Sequence, residues 1–210
     1  MSRRFKPLTL DRLGALPLPC ASCVFWESAE ALEPVCGKAC DADLLRDWFE
    51  TVTSEWGECG RVAAEDDEVL GFIKYAPARY FPQTHHFSGE VDKDAVLLAC
   101  LHIRDDARRR GLGQVLLQTA LRDLAYRGER TLYAYCCAFP ADMSTMPVVG
   151  MEFLLRHGFT VHSPHPRFPL MRLDLRATLP WAENLEAVLE SLRIPLRRPQ
   201  GVPTTFSAPE

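Results

Sequence analysis

The sequence predicts an α/β fold of the α+β kind, one mixed sheet with helices packed on it. Three observations lead there. Apolar residues recur at helical spacing up to Gly57, then switch to two adjacent strand-like runs at 60–66 and 68–76. AVLLACLHIR (95–104) is almost continuously apolar, as a strand covered on both faces must be. That run leads through RRRGLGQ into a strongly helical stretch, which makes a strand–turn–helix unit.

The elements follow in order. RRFKPLT (3–9) reads as a short first strand, and Pro17 and Pro19 limit LTLDRLGALPLP to a turn or two of helix. CASCVFWE (20–27) is a dense apolar patch flanked by thiols. DADLLRDWFETVTSEWG (41–57) reads as a helix carrying Leu45, Trp48, Phe49, Val52 and Trp56 on one face, with Asp41 as N-cap and Gly57 as stop. The two strands of 60–76 are joined by a tight connection at Asp66–Asp67. The segment 77–94 reads as a long loop rich in aromatics and histidine, the kind that often binds ligands. QVLLQTALRDLAYRG (114–128) is helical, TLYAYCCAF (131–139) a strand, and PVVGMEFLLRHG (147–158) a shorter helix ended by Gly158. FTVHS and FPLMRLDL are the last strands. WAENLEAVLESLR (181–193) is an amphipathic helix that completes a single domain over 1–193, and 194–210 is a loose tail rich in proline and small residues.

Bulk properties exclude several classes. The 210 residues are 47% hydrophobic and 25% charged, which suits one globular domain. A formal net charge of −4 argues against a nucleic-acid binder, so the arginine cluster is a local feature suited to a small anion. MSRRFKPLTL has no apolar run long enough for a signal peptide, and no stretch has the length of a membrane span. A cytoplasmic location is expected, with the eight cysteines mostly reduced.

RRRGLGQ (108–114) places free backbone N–H groups at a helix N-terminus, where they and the helix dipole favour an anion. It is not a Walker A loop, because Gly113 is followed by Gln114. It is not a dinucleotide fingerprint, because position 116 is Leu116. What remains is Arg-x-x-Gly-x-Gly, formed by Arg108, Gly111 and Gly113. Set in LHIRDDARRRGLGQVLLQTAL, and followed by LLRHGF (154–159), it resembles the pyrophosphate loop of the GNAT superfamily of N-acetyltransferases over residues 3 to 175. CxxCVFWE and HPRFPLMRLDL resemble an uncharacterised bacterial subgroup of that superfamily.

The resemblance implies a central, mostly antiparallel sheet with one parallel, splayed pair and helices on both faces. It implies acetyl-CoA as co-substrate and a primary amine as acceptor, attacked directly without an acyl-enzyme. The backbone N–H groups of Arg109, Arg110, Gly111, Leu112, Gly113 and Gln114 would hold the pyrophosphate, and Arg108 would fix the loop or contact phosphate. Leu101 and Ile103 would pair with the pantetheine arm. Partners expected are acetyl-CoA and the amine, with room for a homodimer, and neither nucleic acid nor membrane.

Two positions depart from the family pattern. Where a catalytic tyrosine is usual stands Leu154, and where an asparagine is usual stands Pro147. Tyr135 or Tyr133 on the neighbouring strand could serve as a displaced acid. For the base, Glu27 and His102 are the leading candidates, with Asp94 and His85–His86 behind them. Cys20, Cys23, Cys36 and Cys40 have pair spacings compatible with zinc, although buried structural thiols are the simpler expectation and no metal is assigned. Two other readings stay open: a non-catalytic acyl-CoA-binding module that kept the loop and lost the acid, and a zinc-stabilised interaction protein.

Overall fold

The computed structural model describes residues 3–16, 19–66, 68–139 and 146–178. The expected helix at 181–193, the tail at 194–210 and the domain boundary between them lie outside the described residues. The strands are β1 (Arg3–Pro7), β2 (Gly60–Glu65), β3 (Glu68–Pro77), β4 (Val96–Ile103), β5 (Thr131–Cys137), β6 (Val149–Gly150), β7 (Thr160–Ser163) and β8 (Leu170–Asp174). The helices are α1 (Leu10–Gly14), α2 (Ala42–Glu55), α3 (Leu112–Tyr126) and α4 (Met151–Arg156). The sheet runs β1-β2-β3-β4-β5-β8-β7, with β6 paired to β5. The β4–β5 and β5–β6 pairs are parallel and the other neighbours are antiparallel. This is the mixed sheet that the sequence predicts.

Strand periodicity sorts β3 into two cores. Phe72 and Ala76 join the layer under α2, while Ile73 and Tyr75 join the layer under α3. On the first face α2 buries Leu45, Trp48, Phe49 and Val52 at helical spacing. Its N-cap is Asp41, whose carboxylate accepts from the N–H groups of Asp43 and Leu44, both at 3.0 Å. On the second face α3 buries Leu112, Leu116, Leu117 and Leu124, each worth about 1.5–3 kcal/mol relative to exposure. Helices therefore cover both faces. Among the described residues no helix is long and apolar enough to cross a membrane.

Three boundaries differ from the sequence reading. The helix expected from Gln114 starts at Leu112, because Gly111 takes the left-handed conformation (φ 76°) as its N-cap and the turn closes two residues earlier. The helix expected over 147–158 is confined to Met151–Arg156. Val149 and Gly150 instead extend β5 in parallel, pairing with Cys136 and Cys137. The segment 77–94 contains two short 3₁₀ turns, Ala78–Tyr80 and Pro82–His86, and is tied down rather than open. Its anchor is Gln83, which is fully buried. The Gln83 amide donates to the Ser28 and Glu30 carbonyls, and its oxygen accepts from the Leu32 N–H.

Candidate active site

The site begins where β4 and β5 part. They share only the pairs Val96↔Leu132 and Leu97↔Tyr133. On its other side β4 stays bonded to β3 to the end, but the register steps from Lys74↔Cys100 to Tyr75↔Leu98, so Ala99 is the extra residue of a bulge. Arg104 N–H donates to Leu70 O at 2.9 Å. By strand alternation His102 and Cys100 also face β3, and the N–H groups of Leu101 and Ile103 point across the splay. Gly71 keeps β3 close at this point, since a Cβ there would lie 2.6 Å from His102 O. The other edge of β5 is taken by β8, so β6 stands inside the splay, facing β4.

Between these walls lies a cavity of about 430 Å³. Leu101, His102 and Ile103 line one side, and the stretch from Pro147 to Phe153 lines the other. Gly113, in the first turn of α3, opens onto it. The first intrahelical bond of α3 runs from Val115 N–H to Gly111 O (3.2 Å), and no side chain caps the helix, so the N–H groups of Leu112, Gly113 and Gln114 have no partner within it. Arg109 also has positive φ (59°), which folds the turn back toward the helix.

The arginines divide in role. Arg108 lines the cavity, and its guanidinium donates to Ile103 O (3.0 Å) and pairs with Asp105 (3.0 Å), so it braces the loop. Arg109 and Arg110 are exposed and lie outside the cavity lining, as do Gly111, Leu112 and Gln114. The Leu112 side chain is buried in the core, so its contribution is confined to its backbone.

At the other end Glu27 and Lys74 form a buried ion pair, Nζ to Oε1 at 2.5 Å. Glu27 Oε2 is buried without a hydrogen-bond partner among the described residues. Burial pushes the Glu27 carboxyl up, against the pull of Lys74. Burial also works to lower Lys74, but Glu27 and the neighbouring sulfurs outweigh it and hold the amine protonated. Lys74 was missed by sequence reasoning, although a lysine inside the apolar run EVLGFIKYA was the available signal. His102 sits on the same sheet face, half-buried, opposite Phe72. Burial and then Arg108 lower its pKa, so its imidazole is neutral at neutral pH.

The remaining candidates do not converge here. The Tyr135 hydroxyl donates to Gly89 O at 2.6 Å, its ring packs 4.6 Å from Phe87, and burial pushes its pKa up to about 12. It lies outside the cavity lining and is not placed to protonate a leaving group there. Tyr133 packs edge-on against His162. His85 and His86 are exposed outside the lining, and Asp94 is engaged by Arg79. Cys20, Cys23 and Cys36 line the cavity, but Cys40 is exposed and its thiol donates to Gly37 O at 3.5 Å. Its backbone bridges Cys23, and among the described residues no group of three or more such side chains is gathered that could hold a metal ion.

The family model described as the acetyltransferase (GNAT) family matches residues 24–145. The chain belongs to the GNAT family. Solved structures of the same fold include an N-acetyltransferase from Staphylococcus aureus Mu50 (19% identity, 83% of this chain and 99% of that one, TM-score 0.57). Others are Ard1 from Thermoplasma volcanium (12% identity, 83% and 98%, TM-score 0.53) and Naa20 from Chaetomium thermophilum in complex with a bisubstrate analogue (14% identity, 82% and 87%, TM-score 0.53). No curated protein matches the chain. This GNAT protein is an acetyltransferase, and acetyl-CoA is its co-substrate.

At the position of the family's usual tyrosine, Leu154 of this GNAT chain is fully buried. At the position of the usual asparagine, the Pro147 carbonyl accepts the Trp26 indole N–H at 2.7 Å, which locks the CVFWE stretch against the cavity wall.

The buried pair gives a stability test. Lys74→Met strands a carboxylate and Glu27→Leu strands an ammonium, and each single change should cost about 3–5 kcal/mol. The double variant should recover most of that loss. Urea unfolding of the three variants against the parent protein reads the difference, and equal losses in single and double variants would refute an uncompensated buried charge.

Proposed function

We propose that this protein transfers an acetyl group from acetyl-CoA to a primary amine by direct attack on the thioester. The observation carrying this reading is the continuity of one cavity from the uncapped N-terminus of α3, along the free edge of β4, to a neutral histidine. The pyrophosphate sits against the N–H groups of the turn and first helical turn, Arg109 to Gln114, where unpaired donors and the helix dipole favour negative charge. The pantetheine arm adds to β4 as a short strand, bonding the backbone of Leu101 and Ile103. Ile103 O is already held by Arg108, so the N–H of Ile103 and both polar groups of Leu101 serve this role.

An amine must lose a proton to attack. His102 is the base in this reading, because it lines the cavity, is neutral at neutral pH and sits next to Leu101. Glu27 acts through Lys74: its side chain is closed off from solvent, and its carboxylate holds the ammonium in place beside the β4 bulge. That ammonium stabilises negative charge as the thioester opens. The departing CoA thiolate has the ordinary acidity of a thiol, pKa about 8.5, so it leaves without the usual tyrosine.

Two outcomes test this reading. Gly113→Asp should weaken acetyl-CoA binding by at least about tenfold in calorimetry, because its carboxylate would face the pyrophosphate. The fold should survive, since a Cβ there meets only ordinary contacts, 3.6 Å from Phe153. Unchanged affinity would remove the basis of the reading. Release of free thiol over an amine panel should also fall on the acid side through a pKa below 6.5, because protonated His102 accepts no proton. His102→Gln should lower kcat by roughly 10²-fold and abolish that acid limb, and a persisting limb would assign the base elsewhere.

A further inference from the structure

The two ends of the cavity belong to different core layers and differ in chemistry. Toward α3, Leu101, Ile103, Met151 and Phe153 pack against the layer under that helix, and the charged side chains Arg108, Glu152 and Arg156 line the wall. The opposite end is cut into the layer under α2. Leu13, Phe25, Trp26, Phe72 and Val148 are buried members of that layer, and Met146 packs against it. With acetyl-CoA held along α3 and β4, this second chamber is the space left for the acceptor.

The polar groups around the chamber are already engaged with one another. Glu27 and Lys74 are the charged side chains lining this end among the described residues, and they pair at 2.5 Å, so their charges cancel. The Glu27 side chain is 0% exposed, which closes its carboxylate to an incoming amine. The Lys74 ammonium also lies 5.1 Å from the centre of the Trp48 ring. The Trp26 indole N–H donates to Pro147 O at 2.7 Å, and the Cys100 thiol donates to the same carbonyl at 3.9 Å. Trp26 stacks on Phe87 at 5.3 Å and on Tyr135 at 6.2 Å, so this wall is fixed in place.

We propose that the acceptor is a monoamine carried on an apolar body, alkyl or aryl, which fills the chamber bounded by Leu13, Phe25, Trp26, Phe72, Met146 and Val148. The proposal rests on the reading of the cavity as an acetyltransferase site and names the substrate class for it. Such a body is held by leaving water, and each methylene buried against this wall gains about threefold to fourfold in binding. A second ammonium on the acceptor would stand beside Lys74, and the nearby carboxylate is paired and enclosed. A polyamine would therefore give up the hydration of a charge without a replacement. In the transfer itself the amine lone pair forms the C–N bond to the acetyl carbonyl carbon. The C–S bond breaks with its electron pair on the CoA sulfur, and the amine proton passes to His102. The apolar body takes no part in these bonds, so it acts through KM and leaves kcat unchanged.

The test follows acetyl transfer by the full chain to primary n-alkylamines from propylamine to hexylamine, whose basicity is nearly constant. The ratio kcat/KM should rise about threefold per methylene, through KM alone. Cadaverine, in which an ammonium replaces the terminal methyl of hexylamine, should be at least about tenfold poorer than hexylamine. Met146→Asp puts a carboxylate on the chamber wall and should raise the cadaverine-to-hexylamine ratio by at least about tenfold. The alkyl series on the parent protein decides the proposal even where that variant does not fold. A flat alkyl series, or cadaverine turned over as well as hexylamine, would overturn the apolar class and leave the acetyltransferase reading standing. Faster turnover of butanoyl-CoA than of acetyl-CoA would give the chamber to the acyl chain and overturn the proposal equally. Transfer to no amine by protein that binds acetyl-CoA would instead overturn the acetyltransferase reading, and the acceptor class with it.

Discussion

The site depends on one broken contact, the separation of β4 from β5 after two pairs. A sheet normally satisfies the backbone of its central strands on both edges. Here Ala99 bulges and β5 turns to β8 and β6, so Leu101 and Ile103 keep polar groups facing a cavity. Unpaired backbone donors in a protein interior are costly unless something bonds to them, and the cavity provides the space for that partner. The uncapped N-terminus of α3 lies at one end of the same opening. A strand edge and a helix end thus both turn backbone donors toward one cavity.

The other end is organised by clamps. Trp26 reaches Pro147, Trp48 reaches Tyr80 O at 2.7 Å, and Gln83 joins the 28–32 stretch to the 82–86 turn. These contacts hold the segments around residues 20–40 and 77–94 against the sheet and against each other. The rigidity has a consequence for Tyr135. Phe87 and Gly89, both from that anchored segment, cover its ring and take its hydroxyl, so a tyrosine on a suitable strand becomes part of the packing.

Much of the fold was legible because its signals are local. Helical spacing marked α2, apolar runs marked β3 and β4, and the Gly-x-Gly turn marked the start of α3 to within two residues. Of the residues of that turn, Arg108 and Gly113 line the cavity. The acceptor end was harder to read, because its geometry comes from contacts distant in sequence. Glu27 and Lys74 are joined across 47 positions, and nothing in CVFWE says that its glutamate would meet a lysine on β3. The four thiols at 20, 23, 36 and 40 looked equivalent by spacing. Only the fold separates Cys40 from Cys36, by bridging the backbone of Cys40 to Cys23 while its sulfur turns outward to Gly37. The extended Val149–Gly150 was hidden by a helical pattern that runs through both sides of it.

Amide hydrogen exchange with and without coenzyme A tests the central claim most directly, because it reads the two sets of backbone donors separately. The account predicts that the ligand slows exchange at Leu101 and Ile103 on β4 and at Leu112, Gly113 and Gln114 on α3, with Tyr75 and Leu116 in the core unchanged. Coenzyme A binding that leaves the β4 edge and the start of α3 exchanging as in the free protein would contradict it.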